Sequence, residues 1–223
     1  SDVCSSDLGV VAALSSDPAD GGESSVERST AADVVDDDAD LIDHAGPTDG
    51  FTIINTEGDI GADTRAAYLA TALAHRDDPT AEPMVLRWVT ETAGEPAVDV
   101  EEVARVAEAA YADPRGWSLG GLIRFERVDN WDEADFVLVV AEASVVPSFS
   151  EDCMPWLTGV PDASCTVGNY VIINDARWLD GALGDPIPLA EFRIHEINHE
   201  TGHWLGQGHF SCLGGVAAVN QQQ

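Results

Sequence analysis

The sequence predicts a domain of the α+β (or α/β) class. Three observations point there. A nearly all-apolar run, Phe136-Val137-Leu138-Val139-Val140, reads as a strand buried on both faces. Segments of helical period, the clearest from Asp99 to Ala112, are interspersed with strands rather than gathered at one end of the chain. A final helical segment, from about Leu189 to Leu205, carries three of the six histidines.

Taken in order, residues 1–50 hold 13 acidic side chains and one basic one, Arg28, with no aromatic residue. Such a stretch buries too little apolar surface to offset chain entropy, so it is expected to be a disordered acidic linker or tail. Residues 51–82 follow as a short strand and helix extension. Phe51 to Asn55 reads as the strand. Asp63 to His75 reads as the helix, with Asp63 as its N-cap and Ala67, Leu69, Ala70 and Leu73 apolar. The turn-rich stretch from Arg76 to Pro83 marks a boundary, and residues 83–223 form the main domain.

Within that domain, Met84 to Glu91 is expected to be a strand. Asp99 caps the helix that runs to Ala112, with Glu101 and Glu102 in the first turn, where the helix dipole favours them. Pro114 ends it. Strands are then expected at Leu122 to Val128, Asp135 to Ala141 and Tyr170 to Asn174. If the last of these lies at the sheet edge, it can pair with an extended peptide. Cys153 and Cys165 flank a segment containing Pro155, Gly159 and Pro161, and a disulfide between them suits an extracellular protein. Arg177 and Trp178 are expected to anchor their loop to the core.

Composition excludes some functions. The 223 residues carry 41 acidic and 10 basic side chains, a formal net charge of −31. A nucleic-acid binder needs a basic face, and anionic lipid would be repelled. All ten basic residues are Arg. Adaptation to high salt and a high-GC genome both account for this. No apolar run reaches the roughly 18 residues of a membrane-spanning helix.

The chemistry is concentrated near the end. Four of the six His residues, 195, 199, 203 and 209, fall within fifteen positions. A two-histidine helical zinc motif occurs there in two overlapping registers, His195-Glu196…His199 and His199-Glu200…His203. Residues four apart on a helix are about 6 Å apart along the axis and roughly 40° apart in rotation, so both imidazoles can reach one zinc. After His203, Gly206 permits a turn that brings His209 back to the same metal. The first register would place Leu205 at that third position. The second register therefore carries the expected site: His199, His203 and His209 bind Zn2+, and Glu200 is the general base for a water that the metal acidifies. A purely structural zinc site, or a histidine cluster without metal, would use the same side chains, and Cys212 is near enough in sequence to be a fourth ligand. His195, one turn before His199, is either a surface residue or a donor to the substrate or to a metal ligand.

The pattern His199-Glu200-x-x-His203-x-x-Gly206-x-x-His209 resembles the signature of the metzincin zinc endopeptidases. The runs Asp113-Pro114-Arg115-Gly116-Trp117, Ala134-Asp135-Phe136, Asn174-Asp175-Ala176-Arg177-Trp178 and Asn198-His199-Glu200-Thr201-Gly202-His203, with Cys212 and Gln221-Gln222-Gln223, resemble the bacterial domain-of-unknown-function 3152 family. The likeness covers roughly residues 83–223. It implies a metzincin-like twisted mixed sheet with an active-site helix, the three histidines as ligands and Glu200 as base. It also implies a secreted or otherwise extracytoplasmic zinc peptidase acting on a peptide or protein substrate. Metzincins carry a Met in a turn after the third His, whereas Asn220 stands at that place here, and Met84 and Met154 both precede the motif. The main alternative is an inactive zinc-binding module that recognises a peptide or a cell-surface partner. A zinc hydrolase of non-peptide amides is a third reading.

Overall fold

A computed structural model of the chain describes residues 60–150, 153, 163–181 and 187–209. The acidic tail, the Phe51 to Asn55 strand, most of the Gly184 to Pro188 loop, Cys212 and the Asn220 turn lie outside the described residues.

The described residues form a five-stranded mixed sheet with four helices. Helix α1 spans Ala62–Ala74, strand β1 Met84–Ala93, helix α2 Val100–Ala112, strand β2 Ile123–Arg127 and strand β3 Phe136–Ala141. Strands β4, Cys165–Val167, and β5, Tyr170–Asn174, follow, then helices α3, Asp175–Asp180, and α4, Leu189–Trp204. The strand order is β2-β1-β3-β5-β4, parallel throughout except for β4, which runs antiparallel to β5.

The all-apolar β3 lies at the centre because both its faces are covered. Phe136, Leu138 and Val140 pack with Val103, Ala107 and Ala110 of α2 and with Ile197 and Trp204 of α4. Val137, Val139 and Ala141 face the opposite layer, which holds Val146, Phe149, Cys153 and Cys165. On the helix side an aromatic cluster fills the core: the Trp204 and Phe136 rings are 4.5 Å apart, and Tyr111 stacks on Phe125 at 4.4 Å.

Asp99 caps α2 as expected, accepting from the Glu101 amide at 3.0 Å. Asp63 does not cap α1; Gly61 occupies that position, and Asp63 sits in the first turn. Leu69 and Ala72 of α1 enter the same core as α2 and α4. Two elements were not expected, β4 and α3. Both are short, and β4 changes the reading of Tyr170 to Asn174. That strand is hydrogen-bonded on both sides, between β3 and β4, so it is not an edge. The Cys153–Cys165 disulfide is formed, with Cα atoms 5.5 Å apart. No helix among the described residues is long and apolar enough to cross a membrane.

Candidate metal centre

The end of α4 explains how three histidines meet. His199 and His203 are one turn apart on the helix. Leu205 is its C-cap, and Gly206 follows with φ +78°. The Gly206 amide donates to the His203 carbonyl at 2.9 Å and the Gln207 amide to the Gly202 carbonyl at 2.8 Å. This pair of bonds is a Schellman motif, which needs a left-handed residue at its centre. Glycine is required there for a second reason: a Cβ on Gly206 would stand 2.9 Å from the Cβ of Ala66 on α1. The chain then turns back and delivers His209.

The three Nε2 atoms form a nearly equilateral triangle. Its sides are 3.2 Å (His199–His209), 3.1 Å (His199–His203) and 3.0 Å (His203–His209). Nitrogen ligands of tetrahedral zinc lie about 3.3 Å apart, and a point roughly 2.0–2.1 Å from all three corners lies about 1 Å out of this plane. The donor set fits a zinc ion. His203 Nδ1 is 2.8 Å from the Gln207 carbonyl, a bond it makes as donor, which leaves Nε2 as the lone-pair nitrogen of the neutral ring. Burial holds the His203 pKa below its ordinary value, and proximity to His209 acts in the same direction. Neutral imidazole is the form that binds metal. Among the described residues these three histidines are the group able to hold an ion.

The helix turn beneath the triangle is held from α2 and the loop after it. Trp117 Nε1 donates to the Asn198 carbonyl at 2.7 Å. Thr201 Oγ1 donates to the Ile197 carbonyl at 2.7 Å and so receives the Tyr111 hydroxyl, 2.9 Å away. Asn198 Nδ2 donates to the Ile194 carbonyl at 3.0 Å.

Glu200 is 5% exposed and its carboxyl group turns toward β4. Thr166 Oγ1 lies 3.0 Å from Glu200 Oε2 and 2.8 Å from the Glu200 carbonyl oxygen. Burial pushes the Glu200 pKa up to about 8; the Thr166 bond opposes this, and the Glu196 charge adds to it. Glu196, one turn earlier, accepts from Ser164 Oγ, and burial pushes its pKa up to about 7. Its Oε2 has no hydrogen-bond partner among the described residues. The His195 ring centroid is 5.4 Å from that of His199, and burial holds its pKa below the usual value.

Arg177 and Trp178 are anchors. Arg177 donates to the Gly181 carbonyl at 3.1 Å and lies over the Phe192 ring. Trp178 is fully buried, with Arg193 over its ring. Their neighbours in the same run clamp two further loops. Asn174 caps α3 through the Ala176 amide, and the Asp175 carboxylate accepts from the amides of Ala97 and Ala143 at 2.7 and 2.9 Å.

Sequence reasoning missed Ser164, Thr166, Tyr111 and Thr201. The only local signal was the alternation of Ser164 and Thr166 about Cys165, a period of two that puts both hydroxyls on one face of a strand.

The family model described as "Protein of unknown function (DUF3152)" matches residues 91–223. The chain belongs to this family. The matched range contains all three histidines, Glu200, Trp117 and Asp175, whereas α1, which packs against Gly206, precedes it. No curated protein and no solved structure matches the chain.

Proposed function

We propose that this chain is a zinc-dependent peptidase of metzincin type. The observation that carries the reading is the triangle of Nε2 atoms, with Glu200 next to His199 on the same helix. His199, His203 and His209 would hold the metal. Bound there, zinc would supply Lewis acidity toward water and the substrate carbonyl. Glu200 would take a proton from water at a carboxyl oxygen and pass it to the leaving amine. Its raised pKa suits a group that must hold a proton for part of the cycle, and a cation at the histidines would draw it back down. With Nδ1 committed to Gln207, His203 would offer its Nε2 lone pair to the metal.

The substrate would be an extended peptide. Among the described residues β4 has a strand partner on one side only, and its Thr166 contacts Glu200. Its free side can accept a peptide by strand addition. The Cys153–Cys165 disulfide supports a site of action outside the cytoplasm.

The test is metal content by mass spectrometry, followed by a screen of peptide pools. About one zinc per chain in the wild type, absent in the His199→Ala, His203→Ala double variant, is the expected result. Glu200→Gln should keep zinc and lose hydrolysis. If the wild type and Glu200→Gln are equally inert with zinc bound, the chain is a binding module and not a peptidase.

A further inference from the structure

Helix α4 lies against β4 through two matched contacts. Ser164, immediately before the strand, and Thr166, within it, face Glu196 and Glu200, four residues apart on the helix. Two strand residues advance about 6.6 Å and four helical residues about 6 Å, so the two pairs stay in register. Cys165, between the hydroxyls, points to the opposite face of the sheet and is tied to Cys153.

Ser164 has a structural task. Its Oγ accepts from the Asn174 amide at 3.0 Å while it donates to Glu196, so it joins β5, β4 and α4. With that contact and the disulfide in place, the strand is already attached on both faces. Thr166 adds a bond to Glu200 that the attachment of the strand does not require. Among the described residues, the Thr166 hydroxyl bonds to Glu200 and to none of the three histidine nitrogens.

We propose that Thr166 is the positioning residue for Glu200: from the edge strand its hydroxyl fixes Oε2 and leaves Oε1 as the oxygen that meets water and substrate. The inference rests on the peptidase reading. A hydroxyl has one proton to donate and lone pairs to accept with. Here it has two acceptors in reach, Glu200 Oε2 and the Glu200 carbonyl. Both acceptors belong to Glu200, so a single hydroxyl ties the side chain and the backbone of that residue to the edge strand. Valine has the shape of threonine and neither capacity.

The test compares Thr166→Val, Thr166→Ser and Ser164→Ala in the full zinc-loaded chain, on whichever peptide pool the wild type cleaves. Thr166→Val is expected to lower kcat by at least tenfold, with KM within about twofold and zinc stoichiometry unchanged. Thr166→Ser is expected to restore kcat to within about threefold. Ser164→Ala loosens the same strand and should leave kcat within about threefold of the wild type. An unchanged kcat in Thr166→Val overturns the inference, and so does an equal loss in Ser164→Ala, which would make the effect one of strand attachment. A second readout needs no turnover. Crystals of the metal-free wild type and Thr166→Val should show the Glu200 carboxyl group displaced from β4 in the variant, and a carboxyl group that stays in place overturns the proposal. If the wild type cleaves no peptide, the peptidase reading fails by itself and the crystals alone decide whether Thr166 holds Glu200.

Discussion

Trp117 Nε1 donates to the Asn198 carbonyl across 2.7 Å, one residue before the first histidine of the triangle. The bond joins two runs that are 81 positions apart in the chain. Gly116 makes the approach possible: a Cβ there would come within 3.1 Å of Asn198 Oδ1. The loop after α2 is thus shaped to hold α4, and Trp117 is fully buried against it.

Trp117→Phe keeps most of the apolar volume and removes the donor. The loss is expected to be about 1 kcal/mol of stability, the usual net worth of a hydrogen bond. Zinc affinity should fall severalfold, because the turn carrying His199 is no longer fixed. Denaturant melts and competition with a zinc-binding dye read the two effects separately. Equal zinc affinity in variant and wild type would mean that the helix holds its own geometry.

Much of this was legible in the sequence, for definable reasons. The three histidines are four and six residues apart on one helix and its turn, so local geometry brings their Nε2 atoms together. Strand β3 could be read because burial on both faces makes every residue apolar. The edge strand β4 could not: at three residues, Cys-Thr-Val, it is too short for the alternation of Ser164 and Thr166 to tell a strand from a loop. The Thr166 contact to Glu200 spans 34 positions and the Tyr111 contact to Thr201 spans 90, and nothing near any of these residues announces its partner. The tight run of Asn174 to Trp178 was noticed as a pattern, but its work is done through Asp175, whose partners are amides of loops 78 and 32 residues away.

The disulfide should act through the loop it closes. Cys153 and Cys165 are 12 residues apart, a span for which loop-closure entropy is worth about 3 kcal/mol. The Cys153→Ala, Cys165→Ala variant is expected to lose roughly that much, by denaturant melts of the metal-free protein. Reduction of the wild type should reproduce it. A far smaller change would show that the unfolded chain is already restricted there.

Gly206 meets two separate demands, and a double-variant cycle separates them. Gly206→Ala places a Cβ at φ +78° and 2.9 Å from Ala66 Cβ. The expected cost is about 1–3 kcal/mol from strain and overpacking together. His209 follows Gly206 by three residues, so zinc affinity should fall at least tenfold. Ala66→Gly removes the 2.9 Å contact and leaves the 3.2 Å approach to the residue 66 Cα together with the backbone part. Gly206→Ala should therefore cost less stability in the Ala66→Gly background than in the wild type, and a strictly additive cycle would count against the contact.

Glu196 predicts how stability changes with pH. Its carboxyl group is buried, so its folded pKa, about 7, lies above the ordinary carboxylate value of 4.5. The Ser164 bond and the charges of Arg177 and Arg193 pull the other way and do not cancel the burial. A raised carboxyl pKa means that the folded state binds the proton more tightly than the unfolded state. The stability it contributes is present below about pH 4.5 and is lost as pH rises toward and through about 7. Over that window the loss is on the order of 3 kcal/mol if Glu196 is the sole titrating group. Glu200 titrates in the same direction in the metal-free protein, to about 8. The informative quantity is therefore the difference between the metal-free wild type and Glu196→Gln. The variant should match the wild type near pH 4 and become progressively more stable relative to it up to about pH 7, with no further gain above. Denaturant melts at fixed ionic strength across that range measure the difference. Fixed salt matters because a chain of net charge −31 also gains stability from screening, by an amount common to both proteins that cancels in the comparison. A difference that does not grow with pH would mean that Glu196 is already ionised in the folded state at low pH, stabilised by Arg177 and Arg193 more strongly than its burial opposes.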